Sequence, residues 1–126
     1  MTKRDLLTEA YAAFNRRDID AVLELMTEDV DWPNAMEGTM VHGKDAVRDY
    51  WKHQWEVADP LVEPISITDG PDGTTVVHVN QIVKTLDGTV ISEGMLDHEY
   101  RIENGLIARM DVKDEAPGNR FTPAGS

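Results

Sequence analysis

The dipeptide Asn104-Gly105 constrains this chain more than any other pair of residues. A two-residue type I′ loop needs φ > 0 at both positions, and Asn and Gly adopt that conformation at little cost. The flanking stretch from Thr89 to Asp114, TVISEGMLDHEYRIENGLIARMDVKD, is therefore expected to form a β-hairpin. Counting outward from the turn sets Glu103 opposite Leu106, Ile102 opposite Ile107, Tyr100 opposite Arg109, and His98 opposite Asp111. Asp87-Gly88 is a second two-residue hairpin signal, and it joins a β-branched strand, Thr74 to Thr85, to the same sheet.

With both turns counted literally, one sheet face holds Val77, Val79, Gln81 and Val83, then Leu96, His98, Tyr100 and Ile102, then Ile107, Arg109 and Asp111. The other face holds Val76, His78, Asn80 and Ile82, then Asp97, Glu99 and Arg101, then Leu106, Ala108, Met110 and Val112. His78 is expected to face outward opposite Asp97. Gly94, inside the middle strand, is expected to mark a bulge that shifts the phase of the residues before it. Neither face is purely polar, so both need covering, one by helices and the other by a second subunit.

Upstream the periodicity is helical. Thr2 with Asp5 resembles a capping arrangement, and Leu7, Tyr11 and Phe14 follow at helical spacing, giving a helix from about Lys3 to Arg16. Asp18 is a good N-cap for a second, shorter helix with Ile19, Val22, Leu23 and Met26 on one face, ending near Thr27. Val30-Asp-Trp32 reads as a short strand, followed by an irregular segment from Pro33 to Gly43. A third helix, Asp45 to Glu56, aligns Val47, Trp51 and Trp55. Val62 to Thr68 is a strand whose Pro64 predicts an edge or a bulge, and Gly70 to Gly73 is a turn. Residues 1–115 are expected to form one domain, and residues 116–126 a loose C-terminal tail.

Charge excludes several functions. Twenty-four acidic residues against twelve basic ones give a formal charge of −12, which repels nucleic acid and anionic membrane surfaces. There is no cysteine, hence no disulfide, thiolate nucleophile or Cys-ligated metal. His42 and His53 lack ligand spacing, so no metal is expected, and no nucleotide-binding or zinc-protease motif is present, so no cofactor is expected either. Without an apolar h-region or a run of membrane-spanning length, a soluble cytoplasmic protein is expected.

The order of three helices before a curved antiparallel sheet is that of an α+β cone. The segments Tyr11-Ala-Ala-Phe-Asn-Arg-Arg-Asp18, Met26-Thr-Glu-Asp-Val-Asp-Trp32, Gly43-Lys-Asp-Ala-Val-Arg-Asp-Tyr-Trp51 and Asp97-His-Glu-Tyr-Arg-Ile-Glu-Asn-Gly-Leu-Ile107 resemble the nuclear-transport-factor-2-like superfamily, in its SnoaL-like and ketosteroid-isomerase-like branch. The resemblance implies helices packed in the concave face around an apolar pocket, and a homodimer through the convex face. It puts His98 where the isomerases hold the protonated acid of their oxyanion hole. Asn34, which cannot take a proton, falls near their general base, and Ala10 falls at their helix-one tyrosine, with Tyr11 adjacent. Asp111 and Arg109 are similar in type to the pair with which limonene epoxide hydrolases activate water.

The residues support a compact chemical reading. His98 and Asp111 would act as a base oriented by a carboxylate, with Tyr100 and Arg109 stabilising developing negative charge. Trp32, Asn34, Asp31, Trp51, Trp55, Gln81 and Tyr11 are the candidate substrate contacts. The expected partner is a small apolar organic molecule, turned over by cofactor-free isomerisation, cyclisation or water addition. Two other readings stay open: a noncatalytic dimeric ligand-binding module, and a scaffold whose outer sheet face is the working surface.

Overall fold

A computed structural model describes residues 2–34 and 38–114. The first helix, α1 (Lys3–Asn15), opens with a full capping box: the Thr2 hydroxyl accepts from the Asp5 amide while the Asp5 carboxylate accepts from the Thr2 amide. Leu6, Leu7, Ala10, Tyr11 and Ala13 are its buried stripe. The Asp18 side chain caps α2 (Ile19–Leu23) by accepting from the Ala21 amide. This helix is shorter than its apolar pattern predicts, because Met26 already starts a strand.

Six strands form one sheet in the order β2-β1-β6-β5-β4-β3. They are β1 (Met26–Asn34), β2 (Thr39–His42), β3 (Asp59–Asp69), β4 (Thr75–Lys84), β5 (Val90–Glu103) and β6 (Leu106–Asp114). The helix α3 (Lys44–Val57) lies between β2 and β3 in the chain. Neighbours are antiparallel except β1 and β6, which run parallel. Single-residue bulges interrupt the ladders between Pro64 and Ser66, Val83 and Lys84, and Arg101 and Ile102, and the β1–β6 register shifts between Met26 and Asp31. Each extra residue bends its strand, and together they curve the sheet around the helices. The result is the α+β cone.

The core lies between the helices and the concave face. Trp51, Tyr100, Leu7, Met26, Ile107, Val22, Val30, Val47, Val77 and Val79 are its largest fully buried side chains. Burying each one contributes roughly 1.5–3 kcal/mol. Asn15, at the end of α1, docks the helix onto β3 as a strand would: its amide donates to the Val62 carbonyl (2.7 Å), and its carbonyl accepts from the Val62 amide (3.0 Å).

Both hairpin turns form, with instructive differences. Asn104 (φ 52°) and Gly105 (φ 78°) take the conformation the I′ turn requires. One pair further along the hairpin, β6 inserts Ala108: Ile102 pairs with Ile107, but Arg101 pairs with Arg109, and from there His98 faces Val112, Glu99 faces Asp111 and Tyr100 faces Met110. The predicted pairing of His98 with Asp111 and of Tyr100 with Arg109 is thereby corrected. A single bulged residue moves every later β6 side chain to the opposite face.

At the other turn the loop holds three residues rather than two, with Gly88 left-handed and the Thr85 amide donating to the Thr89 carbonyl. Ile91 is then the extra residue, and the ladder recovers the predicted register, with Val83 opposite Ser92 and His78 opposite Asp97. Gly94 pairs regularly with Gln81, so the phase shift expected there is absent. Pro64 does mark a bulge, on an edge strand. The expected tail, 116–126, lies outside the described residues.

Candidate functional site

Between α1, α3 and the concave face lies a cavity of about 80 Å³, open on one side. Its apolar wall includes Phe14, Trp32, Trp51, Val62, Met110 and Val112, and its polar groups come from Tyr11, Tyr50, Gln54, Gln81, His98 and Tyr100. Among the described residues no Asp, Glu, Lys or Arg lines it.

The polar end is a hydrogen-bonded chain. Tyr100 donates through its hydroxyl to the Tyr11 hydroxyl (2.8 Å), which lies 2.7 Å from Nδ1 of His98. Since the Tyr11 oxygen already accepts from Tyr100, its own proton goes to His98, so Nδ1 is the acceptor and the imidazole proton sits on Nε2. The opposite tautomer would reverse both bonds, with Tyr11 donating to Tyr100 and the Tyr100 proton left for the cavity. The Tyr11 ring also stacks on His98 with an interplanar angle of 12° and meets Tyr100 edge-on.

All three groups are neutral. Burial lowers the His98 pKa to about 4, a shift only partly opposed by the Asp97 carboxylate. Burial likewise raises Tyr100 and, with the nearby Tyr100 hydroxyl adding to it, Tyr11. At neutral pH the chain therefore presents one free donor, the His98 Nε2–H, and no charge.

The sequence-derived residues divide between the two faces. His98, Tyr100, Tyr11, Trp32, Trp51 and Gln81 line the cavity. Trp55 does not; it stacks on Trp51 and carries the Arg17 guanidinium 5.0 Å from its ring. Asn34 also lies outside the lining, near the end of β1.

Arg109, Asp111 and Asp31 belong to the outer face, where Arg109 donates twice to Asp111 (2.9 and 3.0 Å) and lies 3.7 Å from Asp31. The guanidinium holds the Asp111 carboxyl below the usual carboxylate range. Asp31 accepts from or pairs with His42 Nδ1 at 2.7 Å, which raises the His42 pKa. Sequence reasoning missed Met110, Val112, Tyr50 and Gln54 as cavity residues. For the first two the signal was present: Met110 and Val112 alternate with the charged Arg109, Asp111 and Lys113, a pattern that favours the apolar pair inside whatever the turn count says. Among the described residues no three His, Asp or Glu side chains converge as a metal site.

Comparison with known proteins agrees with this architecture. An NTF2-like protein of unknown function from Burkholderia pseudomallei superposes with a TM-score of 0.77 at 24% identity, covering 91% of this chain and 92% of that one. TerC, crystallised with polyporic acid, gives 0.75 at 24% identity over 88% and 89%. The epoxide hydrolase/cyclase-like enzyme SalBIII, of pyran ring formation in the polyether salinomycin, gives 0.73 at 20% identity over 87% and 88%. No curated protein matches the chain. The SnoaL-like domain profile matches residues 7–110, and with the cone around its apolar cavity this means that the chain belongs to the SnoaL-like family of NTF2-like proteins.

Proposed function

We propose that the protein is a cofactor-independent acid–base enzyme that isomerises, cyclises or hydrates a compact, largely apolar organic molecule carrying a carbonyl or ether oxygen. The observation that carries this reading is the Tyr100–Tyr11–His98 chain at the end of an apolar cavity. The Nε2–H of a neutral imidazole is a donor suited to an oxygen on which negative charge develops, and Tyr11 holds its tautomer. Tyr100 fixes the direction of the Tyr11 proton. Arg109 and Asp111 take no part in the proposed step. The comparison with SalBIII, an epoxide hydrolase/cyclase-like enzyme, supports the choice of reaction classes by analogy of fold.

A second reading is favoured by one observation: among the described residues the lining holds no carboxylate, so none of them sets a strong base against the cavity. A noncatalytic ligand-binding module would need none. Assaying wild type and His98→Gln against enones, epoxides and lactones separates the two. The enzyme reading expects turnover of at least one class, reduced about 10²–10⁴-fold in the variant. Binding without turnover by the wild type across all three would favour the binding module.

The family resemblance also motivates a homodimer through the outer sheet face, where Leu61 pairs with Ile82 and remains exposed. Sedimentation velocity tests it; a monomer at micromolar concentration would contradict it.

A further inference from the structure

Resting on the reading of the cavity as the ligand site, we infer that this cavity selects an uncharged ligand and rejects the carboxylate of the same shape. Four observations converge on this. Among the described residues the lining contains no cationic side chain, so a carboxylate entering it would be stripped of water without a counter-ion from them. The imidazole in the wall is neutral at physiological pH and offers a dipole in place of a charge.

The Arg17 guanidinium, bonded to the carbonyls of the lining residues Phe14 and Pro60, is already committed. Arg17, left-handed at φ 65°, bonds the Asp59 carboxylate and the carbonyls of Pro60 (2.7 Å) and Phe14 (3.3 Å), and lies over the rings of Phe14 and Trp55. Turning it into the cavity would break all of these contacts at once. Finally, the formal charge of −12 makes the long-range field repel anions as they approach.

Besides the His98 Nε2–H, amides are left for a ligand. Gln54 donates to the Tyr50 hydroxyl (3.2 Å), which leaves its carbonyl oxygen for another partner. Gln81 forms no side-chain hydrogen bond among the described residues, and Gly94 directly across the ladder brings no side chain beside it. Such carboxamides donate to a ketone or ester and can both donate to and accept from an alcohol or amide, but they bring no positive charge to offset a carboxylate.

Acetophenone and benzoate are near-isosteric probes that differ in this charge. Each is titrated at pH 7 into the wild-type protein and into Gln81→Lys, following the Trp32 and Trp51 indole and His98 imidazole resonances. Wild type is expected to bind acetophenone at least about tenfold more tightly than benzoate, reflecting the cost of an unpaired buried charge. The lysine variant, which puts a cation in the wall, is expected to shift the preference toward benzoate. Benzoate binding in the wild-type cavity as tightly as acetophenone would overturn the inference while leaving the cavity a ligand site, and so would a folded lysine variant with unchanged preference. If neither probe moves these resonances, the ligand-site reading itself falls, and this inference with it.

Discussion

Tyr11 and His98 lie 87 positions apart in the chain and 2.7 Å apart in space, hydroxyl oxygen against Nδ1. Helix α1 supplies one partner and strand β5 the other, so their contact exists only when the cone is closed. Removing the Tyr11 hydroxyl strands two buried groups, the Tyr100 hydroxyl and His98 Nδ1. Tyr11→Phe is expected to lower stability by about 1–3 kcal/mol, whereas Tyr100→Phe, which leaves the Tyr11–His98 bond intact, should cost about 0.5–1.5 kcal/mol. Urea unfolding of the two variants gives the ordering directly.

Acid should weaken the fold through His98. Its folded-state pKa, about 4, is depressed below the ordinary 6.5. Between these values the unfolded chain binds the proton and the folded chain does not, so stability falls as pH drops from about 6.5 toward 4 and is retained above that window. The full shift corresponds to about 3 kcal/mol. Unfolding curves at intervals from pH 8 to pH 4 measure the slope, which His98→Gln should reduce by the share of one proton.

Asp111→Asn should leave ligand binding and any turnover unchanged, because Asp111 pairs with Glu99 across the ladder and bonds Arg109 on the outer face. Both members of that ion pair keep a third or more of their side chains exposed, which limits the stability loss to about 0–1 kcal/mol. A marked loss of turnover in a folded Asp111→Asn protein would contradict the assignment of faces.

The fate of Asp111 shows where sequence reasoning reaches its limit. Turn chemistry is local, and Asn104-Gly105 carried it correctly, as did the Thr2 capping box and Pro64 at an edge-strand bulge. A bulge is not local: Ala108 has no composition that marks it, yet it reverses the facing of every β6 residue beyond it. At the other turn a three-residue loop and the extra Ile91 cancelled, so the faces of Gln81 and His98 came out as expected from a two-residue count. The short strand β2 was illegible because its exposed sequence, Thr-Met-Val-His, lacks alternation and gains its order from pairing with β1. The cavity's location followed from the fold; its lack of charge depended on one inserted residue.

Asn15→Ala should destabilise by about 1–3 kcal/mol, since it removes both partners of the Val62 backbone at once. Val62 lines the cavity, so the same change should also loosen ligand binding. Thermal melts with and without acetophenone test both effects in one experiment.

A neutral His98, its Nδ1 held by Tyr11 and its proton on Nε2, faces the cavity. Long-range ¹H–¹⁵N NMR of the imidazole, recorded from pH 8 to pH 4 on wild type and Tyr11→Phe, tests it most directly. The wild type should keep the Nε2–H tautomer throughout and take no second proton until the pH approaches about 4, and the variant should lose its tautomer preference. Titration of His98 near 6.5, or an Nδ1–H tautomer in the wild type, would contradict it.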